Sequence, residues 1–417
     1  MKKTACILLL LMFRLIPLLA EPCGDVDSNG YIDIIDALLI AQHYVYLNPQ
    51  DFDEGAADTD GDGTIDIVDA LLVAQLYVGL ITELPGCVLP PTPTPTPGPT
   101  GQHDRGIITI NDPITGWATM GGGTTGGGTD MSRATTVSSM GALQSAISGS
   151  SAKIVLVKPG TYSGDLEPGA NTTIIGTAPG VTIKGHIRVK GSDSNNIIIR
   201  NIAVRDNYCD GMSECRYGTD AVYTGSGAHH IWYDHCDIAD GQDGNFDVTK
   251  AADFITVSWT KFWYTYDKEH NWSNLIAGSN NETESRGKLN ITHMYCWWGP
   301  RVEQRQPRGR FGKIHVFNCL YTTQEADAYL FGPGVEMMMI MENNYMGVPS
   351  STEVVNVFQS CTGWLATGNK GTANDMNSSY GSVFEIPYPY SLVDASQVND
   401  LVSASVGGAG NTCTFEQ

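Results

Sequence analysis

Short apolar runs recur along the C-terminal three-quarters of the chain, each closed by a polar or glycine-bearing turn: NIIIRNIAV, HHIWYDHCDI, DFITVSWTKF, NITHMYCWW, KIHVFNCLY and MMIMENNYM. Rich in β-branched and aromatic residues, they predict strands. Ile231 and Ile255 are 24 residues apart and Ile291 and Ile314 are 23 apart, a period of coiled repeat architectures. Helical patterns of about ten to fifteen residues are missing between most of the runs, which argues against a barrel or a doubly wound sheet with crossover helices. An all-β fold, a parallel β-helix whose turns stack on one another, satisfies both observations; a β-sandwich is the competing architecture. The stretch MGALQSAIS, residues 140–148, reads instead as a helix that caps the N-terminal end of the coil.

The N-terminal part follows another pattern. DVDSNGYIDIIDALLIAQHYV and DTDGDGTIDIVDALLVAQLYV repeat at an offset of 33 residues. Each is a polar loop followed by apolar positions at helical spacing: Ala37, Leu38, Leu39 and Ala41, then Ala70, Leu71, Leu72 and Ala74. Asp25, Asp27, Asn29, Tyr31, Asp33 and Asp36 fill the odd loop positions and the twelfth of the first copy, and Asp58, Asp60, Asp62, Thr64, Asp66 and Asp69 match them in the second. Oxygen ligands at this spacing wrap Ca2+, the seventh residue giving its carbonyl; Asp where Glu is usual at the twelfth position departs from the standard EF-hand. This duplicated loop–helix resembles the dockerin modules of cellulosome-type enzymes. The resemblance implies a small all-α module, residues 21–87, that folds with calcium and binds a cohesin domain of a scaffold protein through Ile34, Ile35, Ile67 and Val68. Apolar side chains there suit a partner surface. A calcium-stabilised spacer that binds nothing is the alternative.

Composition sharpens the boundaries. The formal net charge is −21. Eleven Asp and three Glu with no Lys or Arg fall between Glu21 and Cys87, so this segment carries most of the excess. The charge disfavours nucleic acid as a partner. Residues 1–20, a basic start and an apolar stretch interrupted by Arg14, read as a signal peptide of a secreted, extracellular protein rather than a membrane span. A lipid anchor at Cys23 competes, and Pro22 fits it poorly. Export permits disulfides. Cys23 and Cys87 suggest a clasp and Cys209–Cys215 a local bridge, an odd cysteine remaining once Cys6 leaves with the signal. Residues 88–104, containing PPTPTPTPGP, form an extended Pro/Thr-rich linker to a domain spanning 105–417. GGGTTGGG, residues 121–128, lacks the Lys-Ser/Thr of a phosphate loop and reads as a flexible surface turn.

In the larger domain Asp220 lies 23 residues before Asp243, Asp247 follows in DGNFD, and Lys268 lies 25 after Asp243. Stacked turns would gather the three carboxylates into an oxygen-rich Ca2+ site. The stretch QRQPRGRFG, residues 304–312, would set arginines beside it. With Ile231-Trp232-Tyr233-Asp234-His235, the Asp243/Asp247 pair, Lys268 and Arg305-x-Pro307-x-x-Arg310, the chain resembles the pectate lyases. Tyr233, Tyr266 and Gly309 depart from the usual residues, and none removes a functional side chain. The resemblance implies a right-handed parallel β-helix that cleaves polygalacturonate, de-esterified pectin, by β-elimination to 4,5-unsaturated oligogalacturonides. It assigns Ca2+ to Asp220, Asp243 and Asp247, the base to Arg305, and substrate carboxylates to Lys268 and Arg310, in a domain that is monomeric. Arg308 reads as a surface or salt-bridged residue, Asp234 and His235 as structural groups beneath the site, and Lys250 as solvated. A noncatalytic pectin-binding module and a calcium-free pectin lyase are the alternatives; the retained lysine, arginines and aspartates favour the lyase of de-esterified polymer.

Overall fold

The computed structural model describes residues 23–27, 32, 34–47, 49, 52–78, 80, 81, 84–86, 106–205, 220–267, 270–325 and 328–416. The signal (1–20), the linker (88–104), Asn29, Tyr31, Asp33, Cys87, Cys209, Cys215 and Lys268 lie outside the described residues. The chain divides into two compact units, Met1–Thr94 and Pro95–Gln417.

In the first unit the sequence repeat becomes two helices, α1 (Ile34–Tyr44) and α2 (Ile67–Tyr77), packed on each other. Ala37 and Ile40 meet Ala70 and Val73 in a core closed by Val26, Ala56, Ala57 and Leu84. The last aspartate of each loop ties the start of the loop to its helix. Asp36 Oδ1 accepts from the N–H groups of Val26 (2.8 Å) and Asp27 (3.3 Å), and Asp69 Oδ1 from those of Thr59 (2.7 Å) and Asp60 (3.1 Å). Asp69 also accepts from Asp66 N–H while Asp66 accepts from Val68 N–H, closing a capping box on α2. Leu38 and Leu71 belong to the apolar periodicity yet point away from the core, 51% and 55% exposed. Cys23 is disulfide-bonded.

The second unit is a parallel β-helix. Among the described residues its coil strands fall into sheets of seven, eleven and nine whose successive turns pair in parallel, and a two-stranded sheet joins Ile107–Thr109 to Thr414–Glu416. Only Ser378–Gly381, against Gly363–Thr367, pairs antiparallel in these sheets. Ile231 stands opposite Ile255 and Ile291 opposite Ile314, as the period predicts. Ile255 also pairs with Ile291, 36 residues on, because the intervening turn carries two excursions, 264–274 and 277–289. Inside, Ile199, Tyr233, Val257, His293, Val316 and Met341 form one column without solvent exposure. Each aliphatic member of such a column contributes about 1.5–3 kcal/mol on burial. Leu143 and Ile147 of α3 (Met140–Ile147) enter the same core beside its first strands, closing the N-terminal end.

Several runs that read as single strands are broken by a corner. Asn201, His235, Trp259, Tyr295, Asn318 and Asn343 take φ between +46° and +55° at successive turns of the coil. Asn tolerates this left-handed region best, and on the middle turns His235, Trp259 and Tyr295 stack, with centroids 5.7 and 4.4 Å apart.

The glycine run does not behave as a free turn. Gly126 and Gly127 are buried against the eleven-stranded sheet, where Asn196 Oδ1 accepts from Thr125 and Gly126 N–H and Thr173 Oγ1 from Gly127 N–H. A Cβ on Gly126 (φ +54°) would stand 2.1 Å from Thr173 Oγ1, so the run is glycine because backbone must lie directly on the sheet.

Candidate functional site

The seven-stranded sheet positions the acidic and arginine candidates. Its outward column runs Arg188, Tyr223, Asp247, Leu275, Arg308 and Gly332 over successive turns. Asp220 precedes the strand Val222–Gly225, and Ala221 N–H donates to Gly244 O (3.0 Å), which sets Asp220 one turn from the DGNFD segment. Oδ1 of Asp220 and Oδ1 of Asp247 each come to 3.1 Å of the point where a Cβ on Gly244 would stand. The missing side chain leaves a cradle between two carboxylates. Asp247 Oδ1 accepts from Leu275 N–H (3.1 Å), whereas Asp220 Oδ1 is buried with no hydrogen-bond partner among the described residues. Asp243 Oδ1 lies 3.0 Å from His270 Nε2.

Burial, reinforced by Asp247 and Asp243 and opposed by Arg305, raises the Asp220 carboxyl well above the usual range. Burial also raises Asp247, against the pull of Arg305 and of the Leu275 N–H. Asp220 and Asp247, desolvated and turned toward one point with an orphaned oxygen, fit a hard cation that would supply the missing charge, whereas Asp243 is 44% exposed and is not one of three carboxylates within 4.8 Å of one another. In the first unit, carboxylate oxygens of Asp25, Asp27 and Asp36, and of Asp58, Asp60 and Asp69, lie within 4.8 Å of one another. There Asp60 is pulled down by the Asp62 N–H, yet desolvation and its neighbours Asp62, Asp69 and Asp58 raise it overall.

Arg305 lies two turns beyond Asp247, past the turn that carries Trp272, with its guanidinium carbon 4.0 Å from the centre of the Trp272 ring and its Nε buried without a partner among the described residues. Burial lowers its pKa despite Asp247. Arg310 donates from Nε to Asn280 Oδ1 (2.6 Å) and from Nη1 to Ala277 O (2.7 Å), and burial followed by the charges of Arg308 and Arg305 lowers its pKa. Among the described residues carboxylates pair with Arg133, Arg188, Arg200, Arg205, Arg286 and Arg301, but with none of Arg305, Arg308 and Arg310. Of the two readings of Arg308, surface or salt-bridged, the structure shows no salt bridge among the described residues and a half-buried side chain.

Asp234 and His235 are structural, but not beneath this site. They end a strand of the eleven-stranded sheet, where Asp234 accepts from Arg200 Nε (2.8 Å) and Ser258 Oγ (2.6 Å) and contacts His235 Nδ1 (2.9 Å). Arg200 reaches on to Asp112 (2.7 Å) and Thr109 O (2.6 Å), fastening the terminal strand Ile107–Thr109 to the coil. Lys250 is exposed. His270, Trp272 and Asn280 escaped the periodic reading because they sit on the two excursions, which the 23–25-residue spacing skips.

Fold and site together define a polysaccharide lyase built on a parallel β-helix. Residues 105–411 match the family model described as pectate lyase, and residues 23–76 the dockerin type I domain. Pectate lyase A of Aspergillus niger is 30% identical over 328 residues, 76% of this chain and 93% of that protein. A Bacillus subtilis pectate lyase is 31% identical over 265 residues, 54% of this chain and 61% of that one. Among solved structures a B. subtilis pectate lyase variant superposes with a TM-score of 0.60 at 23% identity, over 72% of this chain and 97% of the other. A pectate lyase bound to a hexasaccharide gives 0.57 at 23% identity, with 72% and 97% covered. The chain belongs to the pectate lyase family, with a dockerin type I module in its N-terminal unit.

Proposed function

We propose that this enzyme is a calcium-dependent lyase of polygalacturonate, exported from the cell and attached through its dockerin module to a cohesin. The observation that carries the reading is Arg305: a desolvated guanidinium with lowered pKa and no carboxylate partner among the described residues, which feels the charge of the buried Asp247 two turns away. Asp220, Asp243 and Asp247 would hold Ca2+, which when bound neutralises a substrate carboxylate and so acidifies the adjacent C5–H. Arg305 takes that proton; the C4–O bond breaks, a C4–C5 double bond forms, and the glycosidic oxygen leaves and is protonated by solvent water, to which Arg305 later returns its proton. Arginine is a poor base in water, but burial and the nearby cation favour its neutral form. Arg310, fixed by Asn280 and Ala277 O, keeps N–H groups free to grip a carboxylate of the polymer. Lys268, assigned to the same task by the motif, completes the set. In the first unit the apolar residues Ile34, Ile35, Ile67 and Val68 line a groove of about 550 Å³ between α1 and α2, which suits a protein partner. Ultraviolet absorbance of the unsaturated product, followed on polygalacturonate with and without chelator, tests the proposal. Turnover that chelator stops supports it; turnover indifferent to chelator refutes the calcium step.

A further inference from the structure

We infer that Arg308 is a further substrate-binding guanidinium, one that reads a free carboxylate next to the one held at Arg310 and so selects runs of consecutive unesterified uronates. The inference rests on the reading of this face as the polygalacturonate cleft. Arg308 stands in the outward column of the seven-stranded sheet that also holds Tyr223 and Asp247, so it faces the same side as the carboxylate cluster. Its guanidinium carbon lies 3.7 Å from the centre of the Phe358 ring, and Phe358 is in turn backed by Tyr329, with ring centroids 5.2 Å apart. An aromatic ring under the flat face fixes a guanidinium while leaving its N–H edge for a planar anion. The space for this stack is made by the next member of the column: a Cβ on Gly332 would stand 2.9 Å from both Cβ and Cγ of Arg308.

Electrostatics asks for an anion here. Arg308 lowers the pKa of Arg310 and, behind larger influences, that of Arg305, so three cations repel one another on adjacent positions. In a chain of net charge −21, no carboxylate among the described residues pairs with any of them. A uronate polymer carries a carboxylate on every sugar and meets that requirement; a methyl ester at the sugar facing Arg308 removes the charge and one acceptor.

Two variants of the full chain, Arg308→Lys and Phe358→Leu, test this, the first keeping the charge but losing the planar fork and the second keeping the guanidinium while removing the platform. Saturated trigalacturonate binding is followed by calorimetry in calcium. Turnover is followed on polygalacturonate and on pectins of graded methyl-esterification. The dissociation constant and KM are expected to rise on the order of tenfold, the loss of one charge-assisted bidentate contact. The loss should fall on KM more than on kcat, and the preference for unesterified over half-esterified polymer should shrink. A purely structural Arg308 would leave that preference unmoved. Parental binding and an unchanged esterification preference in both variants would overturn the inference. Failure of the parent to form unsaturated product would instead refute the proposed reaction, and the trigalacturonate titration would still decide whether Arg308 grips a carboxylate.

Discussion

Arg305 and Arg310 differ in what the protein leaves of their hydrogen-bonding capacity. Arg310 is held at Nε and Nη1 by acceptors of its own chain, whereas Arg305 Nε is buried and unpartnered among the described residues. Arg305→Lys should therefore lower kcat by about two to four orders of magnitude, the usual worth of a general base, with oligogalacturonate binding nearly kept. Arg310→Lys should weaken binding as well, because an ammonium cannot reproduce a planar fork; equal loss of binding in both would reduce Arg305 to a clamp. Two buried histidines contribute to the pH dependence of stability in opposite directions. Burial disfavours charge on His235, but the Asp234 carboxylate and its hydrogen bond outweigh that and raise its pKa to about 10. Its contribution is complete below the unfolded value near 6.5 and is lost as pH rises through 10. His293, buried with neither ring nitrogen bonded among the described residues, is pushed down to about 3. Only the unfolded chain takes up that proton, so stability falls as pH drops from 6.5 toward 3, by about 1.4 kcal/mol per unit. Denaturant unfolding measured from pH 4 to 10 should show both limbs, with His293→Leu flattening the acid limb and His235→Asn the alkaline one. The motif residues could be named one by one in the sequence, although the residues alone supported only an arginine facing an anion and their roles came from the family resemblance. Trp272 and Phe358 were not, because an aromatic that serves as a platform has the same composition as one that fills a core.

Periodicity carries the element scale as long as each turn of the coil has the same length. Ile231 to Ile255 and Ile291 to Ile314 obey it, and Tyr223 opposite Asp247 brings the Asp220 and DGNFD segments onto neighbouring turns as the spacing predicts. It fails between Ile255 and Ile291, where the excursions bearing His270, Trp272 and Asn280 are inserted. Nor does alternation reveal the corners at Asn201 or His235, because the apolar pattern continues through a left-handed residue that merely turns the strand. In the first unit the repeat in sequence is a repeat in hydrogen bonding. Asp69 alone accepts from the N–H groups of Thr59, Asp60 and Asp66. Asp69→Ala should remove one calcium-binding event from a calorimetric titration of the full chain, since loop and helix lose their common anchor along with a ligand. An unaltered number of binding events would mean that the second loop holds calcium without that anchor.

At the scale of the whole molecule the two units carry opposite demands. The first concentrates eleven Asp and three Glu without a single Lys or Arg between Glu21 and Cys87, so its loops repel until a cation bridges them. The second leaves Arg305, Arg308 and Arg310 without a carboxylate partner among the described residues, as the proposed polyanionic substrate requires. Between the carboxylate loops and the helix core, the first unit leaves Ile34, Ile35, Ile67 and Val68 between 43% and 51% exposed, arranged by the repeat so that each residue of α1 has its counterpart on α2. Exposure of four large aliphatic side chains in one groove costs solubility unless a partner covers them. Replacing all four by Asp leaves the calcium ligands and the Ala37, Ile40, Ala70 and Val73 core in place. The groove, by contrast, would present four new charges to any apolar partner surface. Capture of the full chain on an immobilised cohesin should then fall to background, while calcium-dependent formation of unsaturated product on polygalacturonate in the same preparation stays at the parental rate. Undiminished capture would place the contact elsewhere on the module, and a parallel loss of lyase activity would show that the two units do not act independently.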